Sequence, residues 1–187
     1  MSDRICIHSN GASKLQISAQ DLAFCCRTCG NGCNGGFPSA AWGYFVNSGI
    51  VTGGLYESGV GCQPYTLTNC SHHESGPLPM CPPEQPSPRC SEQCVAGYAT
   101  PFNQDKHYGS SHYSISSQVE KIQTEIQTNG PVEAAFTVYA DFPTYRSGVY
   151  SHKTGGSLGG HAVKIIGWGV EDGQDYWLVA NSWNDTW

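Results

Sequence analysis

The chain has 187 residues, of which 39% are hydrophobic, and this size suits one substantial domain or two small lobes. Its formal net charge is −6 and only 13% of its residues are charged, which argues against nucleic-acid binding. No apolar run reaches the length of a membrane span. Ten cysteines are many for a cytosolic protein of this length, so they indicate an oxidising compartment or a metal site.

Two helices are predicted in the first quarter of the chain. Ser18 and Asp21 have capping-box-like spacing and begin a short helix. Pro38 suits the first turn of a second helix, which runs to about Asn47 and stops at Gly49. Between them, residues 25–36 are rich in Gly and Cys, which predicts a covalently stapled loop.

Residues 53–96 have no convincing hydrophobic periodicity and carry many prolines and cysteines. A loop region of this length in a compact protein is usually functional or disordered, and the cysteines favour a functional one. The next helix follows a capping box at Ser117 and Glu120, and Gly130-Pro131 closes it. Its predicted apolar stripe comprises Val119, Ile122 and Ile126.

Strands are predicted in the last third of the chain. Residues 132–139 form one strand and residues 147–150 a short second one. Two apolar runs, 159–169 and 176–183, flank Glu171-Asp172-Gly173 and predict a β-hairpin. Helices followed by strands indicate an α+β protein with two lobes, divided near residues 95–100.

The hairpin carries a candidate pair of functional residues. If its turn is centred near Glu171, His161 lies opposite Asn181, and a bulge or a shifted turn would move this register by a few residues. An amide oxygen can hold one imidazole N–H and leave the other ring nitrogen free as a base. On spacing alone, a structural histidine and a turn asparagine remain the alternative.

Gly159-Gly-His-Ala162 and Asn181-Ser-Trp183, in this order, resemble the papain-like cysteine proteases. The segment Cys70-Ser-His-His-Glu74 through Cys81 is similar to the occluding loop of the cathepsin B branch. The resemblance implies a papain-like two-lobe fold, with a helical left lobe (1–96) and a β-barrel-like right lobe (97–187). It also implies that residues 2–8 end the long central helix of the fold.

The resemblance implies the roles of individual residues in a Cys-His-Asn triad. His161 would pair with the thiolate and Asn181 would orient it, while Trp183 would shield their hydrogen bond. Gly35 and Gly36 would hold an extended substrate, and Ala162 would line a specificity pocket. None of the ten cysteines stands in a Cys-Gly-Ser-Cys-Trp type motif. The nucleophile is therefore expected ahead of Met1, in a chain truncated at both ends and inactive as written.

Cysteine spacing alone leaves the disulfide connectivity open, and a zinc site built on Cys26 and Cys29 is the alternative to disulfides. The resemblance implies four disulfides and two cysteines without a partner in this chain. The implied pairs are Cys25–Cys90, Cys26–Cys29, Cys62–Cys94 and Cys70–Cys81, and the two unpaired cysteines are Cys6 and Cys33. No metal and no cofactor are implied.

In the cathepsin B branch, adjacent histidines of the occluding loop bind the C-terminal carboxylate of the substrate, and His72 and His73 match them. Without the resemblance, they are a solvated loop pair or a weak metal site. Leu78 and Thr186 replace the two partners of a family salt bridge, so we expect a loosely held loop. The implied activity is therefore that of an endopeptidase, with dipeptide removal as a second activity.

The implied partners are polypeptide substrates, an N-terminal propeptide and inhibitors of the cystatin type, with no nucleic acid and no membrane span. The implied location is lysosomal or extracellular. The rival interpretation is a secreted, catalytically inactive homologue that acts as a binding protein. Retention of His161, Asn181 and Trp183 argues against that rival.

Overall fold

A computed structural model describes residues 1–71, 76–82, 86–183 and 187. Its helices are α1 (Ser2–His8), α2 (Ala19–Cys25), α3 (Pro38–Asn47) and α4 (Val119–Asn129), and its strands are β1 (Val132–Tyr139), β2 (Ser157–Glu171) and β3 (Gln174–Ala180). Helices followed by an antiparallel sheet confirm the α+β class. Among the described residues, no helix is long and apolar enough to cross a membrane.

Backbone contacts divide the chain into two compact units. The first unit comprises Met1–Thr68 and Pro82–Ser114, and the second comprises Asn69–Cys81 and Ile115–Trp187. The occluding-loop-like segment is thus part of the second unit, although its neighbours in sequence belong to the first. The division into a left lobe (1–96) and a right lobe (97–187), which the family resemblance implies, stays a prediction.

In the first unit, α2 begins as the sequence predicts. The Ser18 hydroxyl caps the helix by accepting the Asp21 N–H at 3.0 Å. The Asp21 side chain does not complete a capping box. Its carboxylate is fully buried, accepts the Val51 N–H at 2.9 Å and pairs with Lys106 Nζ at 2.7 Å. The buried carboxylate of Asp21 therefore joins three parts of the unit that are distant in sequence.

The core of the first unit is built around the end of α3, which has the predicted bounds. Phe45 of α3 is 4% exposed, and Ile50, Val51 and Cys62 are fully buried. The chain turns after α3 through Gly49, whose φ of +70° is strained for residues with a Cβ. That turn brings Ile50 back to pair with His107 in an isolated antiparallel bridge.

The second unit contains the sheet, in the order β1-β2-β3 with antiparallel neighbours. Val132 and Val138 of β1 and Val163 and Ile165 of β2 are buried, each at 9% exposure or less. They alternate with exposed residues along their strands, as expected of a sheet with one face packed. Helix α4 packs against β1 and β2.

Two local predictions in this unit are wrong. Helix α4 begins at Val119 with Gln118 as its N-cap, and no side chain caps it, so Ser117 and Glu120 form no capping box. Residues 147–148 form a bend, and residues 149–150 belong to no helix or strand, so the predicted strand is absent. The Tyr145 hydroxyl donates to the carbonyl of Gly148 at 2.6 Å.

Candidate active site

His161 lies on β2, on the face that carries the sheet core. It is partly buried and shares that face with the buried residues Val163 and Ile165. Across the sheet it faces Phe136 of β1, with the ring centroids 5.8 Å apart in an edge-on arrangement. The imidazole therefore has an apolar wall on one side.

The hairpin between β2 and β3 differs in register from the prediction. Its turn is centred on Asp172-Gly173, and the φ angles of +51° and +78° are those of a type I′ turn. A bulge lies between Ile165 and Gly167. Together they shift the pairing from that expected for a turn centred near Glu171.

Asn181 follows directly after β3, whose last residue, Ala180, pairs with Lys164. Continuing this register would place Asn181 opposite Val163, two residues from His161. A shift of two residues keeps a side chain on the same face of a sheet. The two side chains therefore still meet, and His161 Nε2 lies 2.8 Å from Asn181 Oδ1.

The neighbouring backbone fixes the direction of this hydrogen bond. The Ser182 N–H, which can only donate, lies 2.8 Å from the same Asn181 atom, so that atom is the amide oxygen. An amide oxygen only accepts, so His161 Nε2 carries the proton. In the neutral imidazole, Nδ1 is then the free base. Asn181 Nδ2 is buried and has no hydrogen-bond partner among the described residues.

A second aromatic ring, that of Trp183, also lies next to His161. The Trp183 ring lies 5.2 Å from the imidazole, tilted by 31°. Phe142 packs edge-on against Trp183 at 5.5 Å and against Phe136 at 5.2 Å. The histidine is thus flanked by two rings that share one neighbour, and such rings can limit the access of water to its hydrogen bond.

Ala162 follows His161 on β2 and is exposed, with its side chain on the opposite face of the strand. The predicted substrate edge lies in the first unit. Gly35 has a φ of +94°, and the Gly36 position is crowded because an added Cβ would lie 2.5 Å from the carbonyl oxygen of Cys29. Both glycines are exposed, and Gly36 pairs with Gly30 in an isolated bridge.

The described part of the occluding-loop-like segment is a hydrogen-bonded neck closed by the Cys70–Cys81 disulfide. Ser71 is 1% exposed; its N–H donates to the carbonyl of Pro79 at 2.8 Å and its hydroxyl to that of Leu78 at 3.1 Å. His72 and His73 lie outside the described residues, as does Thr186.

The structure contains the four disulfides that the resemblance implies: Cys25–Cys90, Cys26–Cys29, Cys62–Cys94 and Cys70–Cys81. Cys6 and Cys33 are free thiols. Cys26 and Cys29, the two cysteines considered as zinc ligands, are therefore bonded to each other. Within the described ranges, no group of three or more His, Cys, Asp or Glu side chains could hold a metal ion.

One polar residue near this site was not identified from the sequence. Asp141 follows β1 and gathers Tyr150, His152, Lys153 and Thr154 around its carboxylate. A single aspartate in an aromatic-rich segment was its only signal. The hydrogen bonds, led by the Lys153 N–H and the Tyr150 hydroxyl, hold the pKa of Asp141 well below its ordinary value.

The family model described as papain family cysteine protease matches residues 1–187. The chain is 53% identical to a cathepsin B-like cysteine proteinase of Schistosoma japonicum and 54% identical to cathepsin B-like cysteine proteinase 5 of Caenorhabditis elegans. Each comparison covers all of this chain and 55% or 56% of the relative. The chain thus spans about half the length of these curated relatives.

Solved structures give the same result for the fold. Procathepsin B S9 from Trypanosoma congolense matches with a TM-score of 0.82 and 40% identity, over all of this chain and 56% of that one. Digestive procathepsin L 3 of Tenebrio molitor matches with a TM-score of 0.67 and 22% identity, over all of this chain and 51% of that one. The second similarity concerns the fold alone.

Proposed function

The chain belongs to the papain family of cysteine proteases, in its cathepsin B branch, and on this basis we propose that it forms part of a cysteine peptidase. In that peptidase a Cys-His-Asn triad hydrolyses peptide bonds, with His161 and Asn181 as two of its members. The nucleophilic thiol comes from sequence outside these 187 residues. Eight of the cysteines are in disulfides, and neither Cys6 nor Cys33 stands in the family nucleophile motif.

The observation that carries this proposal is the 2.8 Å hydrogen bond from His161 Nε2 to Asn181 Oδ1. It leaves His161 Nδ1 free to take the proton of a thiol and to form a thiolate–imidazolium pair. After the thiolate attacks the peptide carbonyl, Nδ1–H gives its proton to the leaving amine. The imidazole then removes a proton from the water that hydrolyses the thioester.

Trp183 and the proposed substrate-binding residues have separate roles. The Trp183 ring covers the imidazole and keeps water from the His161–Asn181 bond, where competing hydrogen bonds would weaken the orientation of the base. Gly35 and Gly36 offer an exposed backbone edge to an extended substrate, and Ala162 lines a pocket for a substrate side chain.

The loop 70–81 sets the balance between two peptidase activities. The adjacent histidines at 72 and 73 bind the C-terminal carboxylate of a substrate through charge-assisted hydrogen bonds and allow the removal of dipeptides. Leu78 cannot form the salt bridge that the family uses to hold this loop. Endopeptidase cleavage is therefore favoured, and an enzyme that removes only dipeptides from C-termini would contradict this point.

The proposed peptidase acts on polypeptides, is made with an N-terminal propeptide and is inhibited by proteins of the cystatin type. The disulfides require an oxidising compartment for folding, which supports a lysosomal or extracellular destination through the secretory pathway.

The test is the full-length protein assayed with internally quenched peptides, beside a His161→Ala variant and the 187-residue chain alone. We expect cleavage by the full-length protein, covalent labelling by a thiol-directed epoxide, and no cleavage by the other two proteins. A serine at the nucleophile position with no cleavage would instead support an inactive binding homologue.

A further inference from the structure

We propose that Asp141 is a positioning residue for the His161–Asn181 pair, acting through Phe142 and Trp183. The inference rests on the proposed function for its catalytic meaning, but its physical content concerns a hydrogen bond already present in this chain. Asp141 touches neither His161 nor Asn181 in the contacts described above. Its effect therefore passes through packed neighbours.

The first step is the anchoring of the segment 141–154. The Asp141 carboxylate accepts hydrogen bonds from the Tyr150 hydroxyl at 2.7 Å, the Lys153 N–H at 2.7 Å and the Thr154 N–H at 3.0 Å. His152 Nδ1 lies 3.1 Å from the same carboxylate. The Asp141 side chain is only 17% exposed, so these groups replace most of its water.

The second step fixes Phe142, the next residue in the chain. Tyr150, whose hydroxyl is bonded to Asp141, packs edge-on against Phe142 with the ring centroids 4.8 Å apart. Asp141 therefore restrains Phe142 in two ways, through the peptide bond between them and through the ring of Tyr150.

The third step carries the restraint to the histidine. Phe142 contacts Trp183 at 5.5 Å and Phe136 at 5.2 Å, and these two rings lie 5.2 and 5.8 Å from the imidazole of His161. If Phe142 moves, both walls of the imidazole lose a packing partner. Water then gains access to the hydrogen bond between His161 and Asn181.

An Asp141→Asn variant tests the proposal because an amide has the same shape but presents NH₂ to donors that need an acceptor. The measurement is the solvent exchange rate of the His161 Nε2 proton, observed by NMR in the full 187-residue chain. We expect exchange about tenfold faster, the factor for losing about one hydrogen bond to a charged group. Asp175→Asn, which removes an exposed carboxylate from β3, is the matched control and should leave the rate unchanged.

A double-mutant cycle separates positioning from general destabilisation. If Asp141 acts through Phe142, Asp141→Asn should add no further increase in the Phe142→Ala background. Multiplicative effects, or an unchanged rate in Asp141→Asn, would overturn the proposal. If Asp141→Asn fails to fold, Tyr150→Phe, which removes a single donor, decides: faster exchange supports positioning, and an unchanged rate overturns it. Failure of proteolysis bears only on the proposed function, because this readout needs no nucleophile.

Discussion

His161 Nε2 lies 2.8 Å from Asn181 Oδ1, although the two residues do not stand opposite each other in the hairpin. Continuing the strand register would place Asn181 opposite Val163, two residues from His161. A slip of one residue would have turned Asn181 to the other face of the sheet, whereas a slip of two keeps it on the same face. Because the Ser182 N–H also donates to Oδ1, the orientation of the amide is fixed. The imidazole of His161 is thereby held as the tautomer that leaves Nδ1 free.

Asn181→Ala tests the importance of that orientation. Removing the amide leaves the Nε2 proton without its acceptor. The loss of a hydrogen bond to the imidazolium of the proposed full-length peptidase should lower its kcat by about 10- to 100-fold. Steady-state kinetics on a fluorogenic peptide measure the effect. Asn103→Ala, at an exposed position of the first unit, is the control. A kcat within twofold of the parent would show that the orientation has little value.

Lys106→Ala should strongly destabilise the first unit. Asp21 is fully buried, so removing its cationic partner leaves an uncompensated buried charge, at a cost of about 3–5 kcal/mol in the free energy of unfolding. Urea denaturation measures this loss, with the exposed Lys14→Ala as a control. The double variant Asp21→Asn/Lys106→Met should recover part of the stability, since the amide oxygen still accepts the Val51 N–H. A loss below 1 kcal/mol in Lys106→Ala would contradict the prediction.

Two tyrosines should ionise late in an alkaline titration. Burial, followed by the charge of Asp21, raises the pKa of Tyr44 to about 12. Burial, followed by the hydrogen bond to Asp141, raises the pKa of Tyr150 to about 12. Tyrosines in the unfolded chain ionise near pH 10. Below that pH, both hydroxyls are neutral and make their full contribution to the free energy of unfolding. This contribution is lost as the pH rises from about 10 to about 12.

The ultraviolet absorbance of tyrosinate measures this titration. Tyr44→Phe and Tyr150→Phe should each remove one late-ionising group. Loss of a group that ionises near pH 10 in either variant would contradict the assignment.

The Cys25–Cys90 disulfide should contribute more to stability than Cys70–Cys81. Their sequence separations are 65 and 11 residues. In the chain-entropy description, they stabilise by about 4 and about 3 kcal/mol, because closing the longer loop removes more unfolded-state freedom. Paired Cys→Ser variants, compared by urea denaturation, measure the difference. A greater loss from removing Cys70–Cys81 would show that local contacts outweigh loop entropy.

Several elements could be predicted from the sequence because short-range chemistry decides them. Pro38 at the first turn and Gly49 beyond the end gave α3 its bounds, and alternating apolar residues gave β1 the bounds 132–139. The Asp172-Gly173 turn lies within the predicted segment because both residues tolerate positive φ. In these cases the local preference and the tertiary structure agree.

Two of the wrong predictions have a common cause, because tertiary partners outcompeted local ones. Asp21 has the spacing of a capping residue, but its carboxylate is buried against Lys106 and the Val51 N–H instead. In the predicted strand 147–150, Tyr150 bonds to Asp141 rather than to a neighbouring strand. Local patterns carry no information about such distant partners.

The sequence by itself determined the chemical types of the site, the α+β class, and the family to which the chain belongs. It placed a histidine and an asparagine on two strands of one hairpin, since alternation and turn preference are properties of neighbouring residues. Only the tertiary structure decided that they meet, because a bulge and a turn shift set the register. It also decided which ring nitrogen carries the proton and which rings enclose it. Those outcomes depend on atoms far apart in the chain, whose positions packing alone fixes.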